Sequence, residues 1–188
     1  MSRQLPRQAC DALKDRHGDR MDHPQHENPN PTPDEVEAHG KAARERRRSE
    51  AAAIGIDPDF VALMVGSFYA RIREDALLGP IFNGRIADWP RHLSRMQSFW
   101  RSILMNSGEV SAQHMVASHL ALPDIGEAHF TRWLELFYAT LRDLERHPNA
   151  TRLVGNRARK IADSLLTSIA TRDRGVQGIR AGEGLPHV

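Results

Sequence analysis

The aromatic side chains of this 188-residue chain are confined to one stretch: its six Phe, three Trp and two Tyr all lie between Phe60 and Tyr138. Aromatic rings supply a large share of the buried area in a small core, so the fold has to be organised around that stretch. The flanks differ in kind. Residues 1–50 offer only Met1, Leu5, Leu13, Met21 and Val36 as large apolar side chains, among many charges and prolines. Such a segment cannot bury enough apolar surface to offset its ordering entropy, and residues 1–40 are expected to form a disordered leader. Residues 172–188, spaced by Gly175, Gly178, Gly182 and Gly184, are expected to be a flexible tail. The folded domain is then residues 41–171.

Within that domain the apolar period is helical. Val61, Met64, Val65, Phe68, Tyr69 and Ile72 recur at three- and four-residue steps on one face. Asp57-Pro58 fits an N-cap followed by proline in the first turn, with Ile56 placed to staple onto Val61. A second helix is expected over about 89–106, a third after Gly126, and a fourth over about 149–170. Lys41 to Ala53 reads as a further short helix on the domain's edge. No stretch of strand length alternates with period two, so the domain is expected to be all-α.

Several function classes are excluded by composition. Lys+Arg 26 against Asp+Glu 24 leaves a net charge of only +2, too weak a field for gripping nucleic acid or an anionic membrane. The run Arg44, Arg46, Arg47 and Arg48 is interrupted by Glu45 and Glu50 and reads first as a solvated helix face. The single cysteine, Cys10, allows neither an internal disulfide nor a cysteine zinc site. No uncharged apolar run approaches the length of a membrane span, and no apolar signal region opens the chain; a cytoplasmic protein is expected. GxGxxG, P-loop and GxSxG motifs are all missing, so phosphate-binding and serine-hydrolase chemistry have no support.

Three polar side chains stand on apolar ground. Tyr69 shares the stripe of Val65 and Ile72, and His92 shares that of Met96, Phe99 and Ile103. His119 closes the segment from Gln113, with Met115, Val116, Leu120 and Leu122 around it. A buried Tyr or His needs a hydrogen-bond partner, and each of the three taken alone reads first as a satisfied structural residue. The remaining histidines have weaker claims. His114 and His119 are five apart, off one helix face, and His147 reads as a cation at a helix end.

Taken in order, however, these residues form a pattern. Phe68-Tyr69-Ala70-Arg71-Ile72-Arg73-Glu74-Asp75 and Leu78-Gly79-Pro80-Ile81-Phe82-Asn83 resemble the B helix and following corner of a truncated haemoglobin. Trp89-Pro90-Arg91-His92-Leu93, Phe99-Trp100, His119-Leu120-Ala121-Leu122-Pro123 and His129-Phe130-Thr131-Arg132-Trp133 follow at the right spacing. The set resembles group III in particular, because the chain lacks the Gly-Gly pairs usual in groups I and II. The resemblance covers about residues 50–170. It implies a two-over-two helical sandwich around one b-type haem, with His119 as proximal iron ligand. Tyr69, His92 and Trp133 match the distal ligand-binding residues. Phe82 matches the phenylalanine at the haem edge, Phe68 its helical neighbour, and Phe99 belongs to the same pocket. Arg95 either reaches a haem propionate or stays in solvent. Two departures affect the proximal side: its loop is one residue longer than in some relatives, and His114 stands where proline is common.

The resemblance implies a protein that binds O₂, and NO or CO, reversibly. A second reading is an enzyme, an NO dioxygenase or peroxidase acting on NO or peroxide. The chain has no room for a reductase domain, so that reading implies a separate reductase partner. A third reading, a haem-free helical interaction module, rests on the arginine run alone.

Overall fold

The computed structural model describes residues 32–105, 119–121, 124–144, 147–175 and 180–188. Among them six helices are traced: α1 Pro33–Ala53, α2 Pro58–Glu74, α3 Gly79–Arg85, α4 Trp89–Met105, α5 Glu127–Asp143 and α6 Pro148–Arg174. No strand occurs among the described residues. The domain is all-α, as its period requires.

Helix starts are set by local chemistry. The Asp57 carboxylate accepts the Phe60 N–H at 2.7 Å, with Pro58 in the first turn, so one orphan donor of α2 is satisfied and another never existed. Thr32 and Glu35 form a reciprocal capping box at the start of α1. That cap starts α1 eight residues before the expected Lys41, so residues 33–40, read from composition as leader, are helical. Residues 1–31 lie outside the described residues. Gly55, at φ +80°, lies in the 65° bend between α1 and α2, in a conformation that disfavours any Cβ.

The core is built from two helix pairs. α2 packs on α4 and α5 packs on α6, while α2 also packs across on α5 and α1 lies on α4. Val61, Met64, Val65, Phe68 and Ile72 of α2 are buried, facing Leu134, Phe137 and Leu141 of α5 in one apolar cluster. Ala158 and Ala162 supply a small-residue surface on α6, and both are buried.

Three expectations need correction. The segment 79–85, read as a corner, is a helix: the Asp75 carboxylate accepts the Leu77 and Leu78 N–H groups, and Asn83 donates to the Arg73 carbonyl. His147 caps the N-terminus of α6, its Nδ1 accepting the Asn149 N–H at 3.1 Å; it stands at the start of a helix, not at the C-terminal end that a cation would complement. The last residues, read as a flexible tail, are docked over 180–188. Leu185 is buried, the Tyr138 hydroxyl donates to the Pro186 carbonyl at 2.9 Å, and Arg159 donates to the Leu185 and Glu183 carbonyls. Gly155 makes room for this segment, since a Cβ there would meet the Val188 side chain at 2.6 Å.

Asp75 joins three elements. Besides starting the turn into α3, its carboxylate accepts from Arg132 of α5 at 2.8 Å, and its side chain is only 5% exposed. Burial pushes its pKa up, but the Leu78 N–H, the Arg132 guanidinium and the Leu77 N–H together hold it below the ordinary carboxylate value. The folded state therefore binds this proton less readily than the unfolded state. The stabilisation is complete above the unfolded pKa of about 3.9 and disappears as pH falls through the lower folded value. Asp75→Asn should cost about 1.5–3 kcal/mol at pH 7, the range for charge-assisted hydrogen bonds. Chemical denaturation at pH 7 and pH 3 checks this: the gap between variant and wild type should narrow at the acid end.

Candidate functional site

The packed helices leave a cavity of about 540 Å³ between them. Tyr69 of α2, Phe82 of α3, His92, Arg95 and Phe99 of α4, and Trp133 of α5 line it, with His119 on the segment before α5. Residues as far apart in sequence as Tyr69 and Trp133 thus meet at one void.

Helix geometry decides which side chain faces it. Phe68 points into the core, meeting Trp133 at 5.2 Å and Phe137 at 5.0 Å between ring centroids. Tyr69, one step round α2, therefore faces the cavity. His92 sits in the first turn of α4, whose start is fixed by the Asp88 carboxylate accepting the Arg91 N–H. The Tyr69 and His92 rings meet edge to face at 5.0 Å and 85°, and Trp89 touches both at 6.1 and 5.8 Å. The Arg73 guanidinium lies 4.9 Å over the Trp89 ring, closing this wall from outside with a cation–π contact.

The wall's polar atoms are unanswered. His92 Nε2 is buried and has no hydrogen-bond partner. The Tyr69 hydroxyl is bonded to none of the described residues, though the side chain is only 6% exposed. Burial pushes the Tyr69 phenol far above its ordinary pKa, so it is a neutral O–H donor at every physiological pH. Burial, then the positive charge of Arg95, pushes His92 below its ordinary value, so at pH 7 its ring is neutral. Leaving such groups unpaired costs about 1–3 kcal/mol each. A guest that accepts from one and pairs with the other recovers that cost.

The opposite requirement is met by His119. It lies in a helical turn with Leu120, whose carbonyl accepts from the Arg172 guanidinium of α6. Among the described residues no three His, Cys, Asp or Glu side chains gather into a metal site. A metal carrying its own equatorial ligands needs only one from the chain, and His119 can supply it. Arg85 and Arg95, both exposed on the cavity's lining, suit a planar apolar group with carboxylate tails. The residues present fit a haem.

Seven of the eight side chains expected at the site line this cavity, and one does not. Phe68 does not line the cavity; it holds the Tyr69 and Trp133 rings from behind. Arg85, Ser94, Ser98, Ile125, His129 and Phe130 line it unforeseen. Arg85 was hidden because its helix was read as a corner. His129 lies in the quoted motif, and its Nδ1 accepts the Gly126 N–H at 3.3 Å. His114 and the segment from Gln113 to Ser118 lie outside the described residues, as do Leu122 and Pro123.

Paired helices around an apolar cavity, with one imidazole on a short segment and unanswered donors on α2 and α4, define a small globin. No family model matches the chain. It is 33% identical over 90 residues to the group 3 truncated hemoglobin ctb of Campylobacter jejuni, a span of 46% of this chain and 70% of that protein. The crystal structure of a group III truncated hemoglobin from Campylobacter jejuni aligns with a TM-score of 0.56 at 29% identity, covering 61% of this chain and 91% of that one. The chain belongs to the group III truncated haemoglobins. It is accordingly a globin haem protein.

The depressed pKa of His92 has a measurable consequence. The unfolded chain takes up this proton near pH 6.5 while the folded chain resists it. Stability should therefore fall as pH drops below about 6.5. His92→Phe keeps the ring's shape and removes the titration. Urea denaturation of wild type and variant between pH 8 and pH 5 should show the variant gaining on wild type at the acid end. Parallel curves would mean that His92 titrates alike in both states.

Proposed function

We propose that this protein binds O₂ reversibly, and NO or CO likewise, at a b-type haem ligated by His119. The observation that carries this reading is that the Tyr69 hydroxyl and His92 Nε2 face one cavity with no partner of their own. When bound, haem supplies an iron atom that takes up diatomic ligands and leaves partial negative charge on O₂. Tyr69 donates its O–H toward that charge, and Trp133 on the neighbouring wall can only donate through its indole N–H. His92 stays neutral, so it offers one donor and one acceptor nitrogen in place of a fixed charge. Phe82 and Phe99 exclude water from the ligand. Arg85 and Arg95 pair with the propionates at the cavity's edge.

A second reading, turnover of NO or peroxide, is favoured by His92. A neutral imidazole edge-on to a phenol can take a proton at Nε2 and return it. This reading requires electrons from a separate reductase.

Tyr69→Phe tests the first reading. It removes one hydroxyl and keeps the ring. A hydrogen bond to a partly charged acceptor is worth about 1.5–3 kcal/mol, so O₂ release from the ferrous, haem-loaded protein should quicken roughly 10- to 150-fold. CO, less polar when bound, should respond weakly. Stopped-flow release of both gases measures the contrast, and an unchanged O₂ rate would reduce Tyr69 to a packing residue. His119→Ala should lose most of the haem and its Soret absorption. Full haem retention with an unaltered spectrum would assign the ligand elsewhere.

A further inference from the structure

A second concavity lies on the other side of α4, and nothing in the haem reading uses it. Its volume is about 800 Å³, within the ~300–1,000 Å³ of small-molecule sites. α1 packs on α4 and α6 packs on α5, so one face of α1 and one of α6 look across a groove whose floor is α4. Ile54, Ile103 and Leu153, all half-buried, contribute to an apolar interior. Arg47, Arg157 and Lys160, all exposed, stand on its lining.

The charges are placed by period. Leu153, Arg157, Lys160 and Ile161 fall at steps of four, seven and eight on α6, a single helix face. An apolar stripe on such a face is ordinarily covered, and its flanking cations ordinarily reach solvent anions or carboxylates. Here Arg47, Arg157 and Lys160 make no hydrogen bond or ion pair with any described residue. Glu50 is the one acidic residue on the lining, against three cations, and it too pairs with no described residue. The groove therefore combines a greasy floor with a net positive rim. Its complement is a molecule with an apolar chain and one anionic end.

We propose that this groove binds a single-chain alkyl carboxylate, a fatty acid, with its chain along α4 and its carboxylate between Arg157 and Lys160. The inference does not rest on the haem reading. Phe99, Ile161 and Leu165 line both cavities, so the haem pocket must be filled when the groove is tested. The large exposed apolar side chains Val36, Leu63, Leu77 and Val188 all lie off the groove. Its apolar atoms sit in a concavity, which favours a chain inserted from solution over a flat membrane surface.

The test is calorimetric titration of the full-length, haem-loaded protein with octanoate, decanoate and dodecanoate below their micellar concentrations. One saturable site is expected, tightening about fourfold for each added methylene, with the Soret band unchanged. Dodecanol should bind at least tenfold more weakly than dodecanoate. The double variant Arg157→Glu/Lys160→Glu should lose at least tenfold in affinity, and Arg157→Lys/Lys160→Arg should restore it; both positions are exposed, so the fold tolerates them. Absence of saturable binding would overturn the proposal, as would equal affinity in the charge-reversed variant. Release of haem on titration would place the acid in the haem cavity and also overturn it. So would binding to phosphatidylglycerol vesicles with none to monomeric carboxylates, which would make the patch a membrane contact.

Discussion

Phe137 is the piece on which the rest of the architecture depends. It is fully buried, stacked at 5.0 Å on Trp100 and at 5.2 Å on Trp133, with Phe68 edge-on at 5.0 Å. One ring thus binds α2, α4 and α5, which together with Phe82 of α3 supply the cavity's aromatic walls. Each such pair adds about 0.5–1.5 kcal/mol beyond the area it buries. The geometry matters as much as the energy. Trp133 is held nearly parallel to Phe137, at 9°, so its own outer face is left for the cavity and cannot turn inward to fill it.

A cavity of this size is an anomaly in a close-packed interior, and it persists because its walls are stiff. Tyr69 and His92 meet edge to face, and neither can rotate to find a protein partner without breaking that contact. The result is a wall whose donors are fixed before any guest arrives. Their lost hydrogen bonds weaken the apoprotein and strengthen the complex by the same amount, which is how preorganisation works in a binding site. Asp75 extends the stiffness outward. Its pairing with Arg132, the neighbour of Trp133, ties the end of α2 to the start of α5, so the two sides of the wall move together.

The helices were legible because their period is an outcome of burial, and burial is what the apolar residues record. Asp57-Pro58 marked the start of α2 to the residue. What escaped had no apolar signature. The first turns of α1 are set by Thr32 and Glu35, a polar cap within a charged segment that composition alone marks as unfolded. The docked end is held through backbone carbonyls at Glu183, Leu185 and Pro186, and carbonyls are common to every residue. α3 is too short to show a period. Within the site, Tyr69, His92, Phe82, Phe99 and Trp133 came from the order of motifs, because no periodicity states that three helices share a void. Phe68 was assigned to the cavity because adjacent residues of a motif look alike in one dimension, whereas 100° of helical rotation sends them to opposite sides of a wall.

Charge placement explains how a chain with a net charge of only +2 presents two anion-seeking sites. Five acidic groups are spent on ion pairs among the described residues: Asp75 and Glu135 on Arg132, Asp143 on Arg71, Asp173 on Arg172, Glu183 on Arg180. Together these contacts take five anions and four cations out of the field, since Asp75 and Glu135 share Arg132. The cations with no hydrogen-bonding partner among the described residues include Arg85 and Arg95 at the first cavity and Arg47, Arg157 and Lys160 along the groove. At physiological ionic strength a charge is felt over roughly 8 Å, so these clusters act locally and the chain's average is irrelevant to either. The same reasoning separates the two sites. At the first cavity the arginines stand beside the neutral Tyr69 and His92, whereas at the groove the cations stand beside a mainly apolar lining broken by Glu50, Ser102 and Ser164, which the proposed fatty acid would match at both its ends.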